Sequence, residues 1–324
     1  MPPLKDALRL VVYLASVILM AALIAPPFFW AAQWLVAHGW LEGLARFDFE
    51  TFFHRALLIA AVLLLWPFLR MSHVRSLHDL NLAPNPQRAR DLIAGFVVAV
   101  VPLLCCGALL LAFGFHAARH AIAIYALTKT VLAGIFVPFI EEPLFRGLIL
   151  GLLLRGGRRK MSILATSAFF AAVHFFRSPE QAQVTVTWSS GFQAVVDSFS
   201  RFGDPLSILP AFATLFLIGW ILADARLRTR SLWLPIGLHA GWILASGAFN
   251  SLARRQIDIF PWLGKNLLEG IVPVEIGIVT WLIMILWLRH VGIAGRLGQT
   301  PTAGPGVLQK PSTIERSSDR TRNA

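Results

Sequence analysis

Eight stretches of this chain hold apolar residues at nearly every position, and Lys, Arg, Pro and Gly gather between them. They run over Leu8–Val36, Ala56–Leu69, Leu92–Phe115, Leu127–Leu154, Ser162–Phe176, Leu206–Ala223, Leu232–Phe249 and Ile271–Leu288. Runs of about 14–29 apolar residues with no two-residue alternation predict membrane-spanning α-helices rather than outer-membrane strands. The pattern therefore predicts an all-α, polytopic membrane helix bundle of about eight transmembrane helices over residues 1–290. Residues 291–324, rich in Ser, Thr, Pro, Gly and Arg, read as a disordered basic cytoplasmic tail. Pro26-Pro27 interrupts the first stretch, which is too long for a cleaved signal peptide and lacks a small-residue cleavage site.

One place breaks the apolar pattern from within. Phe139-Ile140-Glu141-Glu142-Pro143-Leu144-Phe145-Arg146-Gly147 puts two carboxylates and a guanidinium in the middle of the fourth stretch. At ~1.5 Å per residue, Glu141 lies roughly 20 Å from either end of that stretch, so its charge cannot reach the membrane surface. Such charges cost several kcal/mol unless paired or facing a wet cavity. Glu142 and Arg146, four apart and only ~40° around a helix, can pair. Glu141 points ~100° away from Glu142 and is left for another task. Pro143 has no N–H, so the carbonyl of Phe139 loses its partner and the helix opens here.

Composition agrees with the pattern: 56% of the 324 residues are hydrophobic and 14% charged, and mean hydropathy is +0.67. A net charge of +12 would suggest nucleic-acid binding in a soluble protein. Here the basic residues lie in short loops, which is a topology signal, and no nucleic-acid partner is expected. With the N-terminus inside, 19 Lys and Arg fall in inner segments and 9 in outer ones. The orientation predicted is N-in/C-in. Cys105 and Cys106 are adjacent within a span and read as core residues. The outer segment before the sixth span is ~30 residues long, more than a simple connection needs. In it Phe192, Val195, Val196, Phe199 and Phe202 share one helical face, predicting an interfacial helix that gates entry or caps the bundle. No internal repeat stands out.

Of nine histidines, two lie within spans. His174 ends Phe170-Ala171-Ala172-Val173-His174, and His239 sits in Ser231-Leu232-Trp233-Leu234-Pro235-Ile236-Gly237-Leu238-His239-Ala240-Gly241-Trp242. Two intramembrane imidazoles and a Glu pair from three helices suggest one shared polar site. A carboxylate can take a proton from water, one imidazole can orient that water, and another can face an oxyanion or complete a ligand set. There is no His-Glu-x-x-His pattern. Glu141, His174 and His239 suit either a Zn2+ site with an open position or a metal-free Glu/His site. Other readings are a non-catalytic immunity or partner-binding membrane protein that keeps the scaffold, and a proton-coupled transporter.

Glu-Glu-x-x-x-Arg at 141–146, Phe-x-x-x-His at 170–174 and the motif around His239 together resemble the CPBP family. That family comprises the CAAX prenyl endopeptidases and their bacterial relatives, also called the Abi family. The likeness covers about 125–250. It implies an intramembrane endopeptidase acting on peptide or small membrane-protein substrates, prenylated CAAX-like ones among them. It further implies that Glu141 activates water, assisted by His174, that His239 stabilises the oxyanion or binds metal, and that Glu142 with Arg146 is an orienting pair. A bacterial cytoplasmic membrane is the expected location. The chain departs from the family at Ile243, where Asn is common four residues after the last motif His. Ser246, nearly in line with His239, is the available substitute.

Overall fold

The structure, a computed structural model, describes residues 2–80, 82–120, 124–176, 185–200, 205–264, 267 and 270–297. It forms two compact units, Met1–Met284 and Ile285–Ala324, the described part of the second being helix to Leu297. Among the described residues the helices are α1 (Pro2–Ala37), α2 (Phe49–Met71), α3 (Arg88–Ala112), α4 (Ile124–Glu142), α5 (Leu150–Leu154), α6 (Arg159–Phe175), α7 (Ser190–Ser200), α8 (Pro205–Thr229), α9 (Trp233–Leu252) and α10 (Ile271–Leu297). A π-helical stretch, Pro143–Ile149, joins α4 to α5. Two three-residue strands, β1 (His116–Ala118) and β2 (Ala253–Arg255), pair antiparallel with His116 opposite Arg255. The protein is an all-α polytopic membrane bundle.

All eight expected spans are helical, and six helices are long and apolar enough to cross a membrane. The other two are α6 and α9. At 17 residues α6 spans about 25 Å, less than the ~30 Å hydrocarbon core. The second, α9, is diluted by Gly, Ala, Ser, His and Asn, because it is walled by protein rather than lipid. It packs on α3, α4 and α8. A Cβ on Gly241 would come within 2.7 Å of the Phe96 carbonyl oxygen, and one on Gly237 would overlap the Leu92 carbonyl. Small residues bring helix backbones together where lipid supplies no hydrophobic drive.

The helix ends differ from the expected ones for local reasons. Seven residues ahead of Ala56, α2 begins at Phe49, because Asp48 caps it by accepting from the Thr51 N–H at 3.0 Å and the Thr51 hydroxyl at 2.6 Å. The chain stays helical through Pro26-Pro27 in α1. Pro26 removes the N–H that the Ala22 carbonyl would otherwise receive. Gly191 of α7 packs against that carbonyl so closely that a Cβ would overlap it. Gly191, Ala194 and Ser198 face the bundle, while Phe192, Val196 and Phe199 are exposed. The interfacial helix thus turns its apolar face outward. Phe202 and residues 298–324 of the expected tail lie outside the described residues.

Candidate active site

Pro143 changes the helix type where the charges lie. With no N–H at Pro143, α4 cannot continue its ladder and passes into the π-helical Pro143–Ile149. Such wide turns recur at functional sites. Arg146 still reaches Glu142: its Nη1 donates to Glu142 Oε1 at 2.8 Å, with both side chains 0% exposed. The guanidinium also lies 4.2 Å over the Phe170 ring of α6, and its Nη2 donates to the Gly219 carbonyl of α8 at 3.4 Å. One buried cation thereby ties three helices.

His239 of α9 completes the group. Its Nδ1 lies 2.8 Å from Glu142 Oε1. The Arg146-paired carboxylate is an acceptor, so Nδ1 is the donor. That bond turns Nε2 towards Glu141, whose Oε2 is 4.0 Å away. The Glu141 side chain is 28% exposed and that of His239 7%. Glu141 Oε2 is itself buried and accepts no hydrogen bond among the described residues. Two polar atoms 4.0 Å apart can both hold a third atom at hydrogen-bond distance, which is the geometry of a reacting centre.

Glu141, Glu142, Arg146 and His239 are therefore brought together. His174 stands beside them at the exposed C-terminal end of α6, and Phe170 links it to the group. Its Nδ1 donates to the Phe170 carbonyl at 2.7 Å, and its ring centre is 4.5 Å from that of Phe170. Among the described residues no three His, Cys, Asp or Glu side chains gather as a metal-ligand set. Glu141 Oε2 and His239 Nε2 are two donors, fewer than the three protein ligands of a catalytic zinc. The described side chains offer a zinc ion too few ligands.

Ser246, the expected substitute donor, is engaged within its own helix. Its hydroxyl donates to the Trp242 carbonyl at 2.7 Å. Ile243, one helical turn after His239, is half-buried. One participant carries no signal in the sequence, and the role of another carries none. The Gly219 carbonyl is backbone, and Phe170 shows as the first residue of the Phe-x-x-x-His motif, but its place under Arg146 shows only in the fold.

Next to the charges lies an apolar cavity of about 320 Å³. Leu144, Phe145 and Ile149 of the π-helical stretch, Tyr13 of α1, Phe169 of α6 and Phe199 of α7 are among its walls. Phe145 of that wall meets Phe170 perpendicular at 5.2 Å, and its ring is 5.7 Å from the Arg146 guanidinium.

Residues 123–245 match the family model for Rce1-like proteins, the type II CAAX prenyl endopeptidases. No curated protein and no solved structure matches the chain. The matched segment runs from the start of α4 into α9 and carries all three motifs, so over residues 123–245 this integral membrane protein is similar to the type II CAAX prenyl endopeptidases.

Proposed function

We propose that the protein is an intramembrane endopeptidase in which Glu141 activates water against the peptide bond of a membrane-anchored substrate. The observation that carries this reading is the unpartnered Glu141 Oε2 facing His239 Nε2 across 4.0 Å. Glu141 takes a proton as the water oxygen bonds to the carbonyl carbon. His239 keeps its Nδ1–H on Glu142, and an N–H at its Nε2 would meet the developing oxyanion. Collapse breaks the C–N bond, and the proton on Glu141 passes to the leaving amine. His174, held by the Phe170 carbonyl at Nδ1, directs Nε2 to the water or the amine. The mechanism is metal-free.

The apolar cavity supports a substrate with a lipid-like anchor, such as an isoprenoid or a transmembrane residue stretch. Phe199 of the interfacial helix forms part of its wall, so α7 stands where such a substrate would enter from the bilayer. The location we assign is a bacterial cytoplasmic membrane with both termini inside. Trp30 and Trp188, 4.8 Å apart, support an outer interface at the α7 end. The test is cleavage of prenylated and unmodified peptides by purified protein in detergent. Loss of cleavage in Glu141→Gln at unchanged folding supports the reading. Retained cleavage in that variant overturns it.

A further inference from the structure

Phe170 touches more of the charged group than any assigned residue does. It is 1% exposed. The Arg146 guanidinium lies over its ring at 4.2 Å. The His174 ring centre is 4.5 Å away, and the His239 ring meets it nearly perpendicular at 6.0 Å. Behind it, α8 comes so close that a Cβ on Gly219 would be 3.3 Å from Phe170 Cδ1. An aromatic face attracts a guanidinium, and a ring edge set against an aromatic face is a favoured contact.

We infer that Phe170 is a positioning residue: one ring fixes His174 and His239 relative to each other through its contacts with both imidazoles and with Arg146. Glu142 sets the direction of His239 within α9, and the Phe170 carbonyl sets that of His174 within α6. Neither bond spans from one imidazole to the other. The ring does. It lies against one imidazole from α6 and one from α9. This inference rests on the endopeptidase reading for its kinetic consequence, but its structural consequence stands without it.

The experiment compares full-length wild type, Phe170→Leu and Phe169→Leu in detergent micelles, with 15N-labelled histidine. Phe169→Leu deletes a ring from the neighbouring position, whose aromatic contact is with Phe145 at 5.9 Å, and serves as control for the histidine signals. Assignments come from His174→Gln and His239→Gln. Phe170→Leu is expected to shift the imidazole signals of both His174 and His239, and Phe169→Leu to shift neither. In cleavage assays Phe170→Leu should lower kcat about 100-fold, as a misplacement near 1 Å does, with KM nearly unchanged. If Phe170→Leu does not fold, Phe170→Met is judged by the same criteria. Unmoved His239 signals in a folded variant, or a wild-type kcat, would overturn the inference. If wild type cleaves no peptide, the endopeptidase reading falls and the histidine signals alone decide the role of Phe170.

Discussion

His239 donates from Nδ1 to Glu142, at 2.8 Å, and so presents Nε2 to Glu141 at 4.0 Å. The two adjacent glutamates thereby act on opposite nitrogens of one imidazole. Glu142, clamped by Arg146, orients the ring, and Glu141 shares the space in front of it.

That division predicts opposite outcomes for the two conservative changes. Glu142→Gln strips the charge from a carboxylate that is 0% exposed and leaves Arg146 buried without its counter-ion. Breaking a buried pair in this way costs about 3–5 kcal/mol, so the melting temperature in detergent should fall steeply. Glu141→Gln disrupts no hydrogen bond among the described residues and should melt like wild type. Equal melting temperatures would refute the orienting role of Glu142.

Much of this was legible in the residues, and the rest was not for identifiable reasons. The Glu142–Arg146 pair follows from a spacing of four, and the opening of the helix follows from Pro143. That Glu142 also binds His239 could not be read, because it depends on how close α9 comes, and glycines such as Gly237 and Gly241 set that. The membrane pattern showed α9 as a span like the others, although its diluted apolarity marks the helix at the centre. The start of α2 was missed by seven residues because His54 and Arg55 interrupt the apolar run, while the Asp48-x-x-Thr51 cap lies upstream. Ser246 was in line with His239 by helical angle, but its hydroxyl is taken by the Trp242 carbonyl.

Ser246 and Ile243 give a paired test. Because the Ser246 hydroxyl serves its own helix, Ser246→Ala should leave kcat within about 2-fold of wild type. Ile243→Asn adds a donor one helical turn from His239 and should raise kcat at least about tenfold, since an oxyanion donor is worth about 100–1000-fold. A large loss in Ser246→Ala would place that hydroxyl in the chemistry instead.

The contact of Gly191 with the Ala22 carbonyl predicts how α7 is held. Gly191→Val forces a branched side chain onto the backbone of α1, a close-packing conflict of about 1–3 kcal/mol. Limited proteolysis should cut within 185–200 faster than in wild type while the rest of the bundle stays protected. Because Phe199 walls the apolar cavity, KM for lipid-anchored peptides should rise with kcat little changed. Wild-type proteolysis would show that α7 is held elsewhere.

His116 gives the pH dependence. Burial first, and Arg255 opposite it second, hold its imidazole below the ordinary histidine range. The folded state therefore resists the proton that the unfolded chain takes up. The stability due to neutral His116 is complete above about pH 6.5, the unfolded value, and declines as pH falls from there towards the lower folded value. Melting curves from pH 8 to pH 5 should show a fall that is smaller in His116→Gln. An identical fall in the variant would assign it to other groups.

The most direct test of the central claim is peptide cleavage by wild type and Glu141→Gln, purified in detergent at matched folded concentration, each with and without a chelator. The predicted result is cleavage by wild type that the chelator does not affect, and none by Glu141→Gln. Cleavage by Glu141→Gln at the wild-type rate would contradict Glu141 as the group that activates water, and abolition by the chelator would contradict a metal-free site.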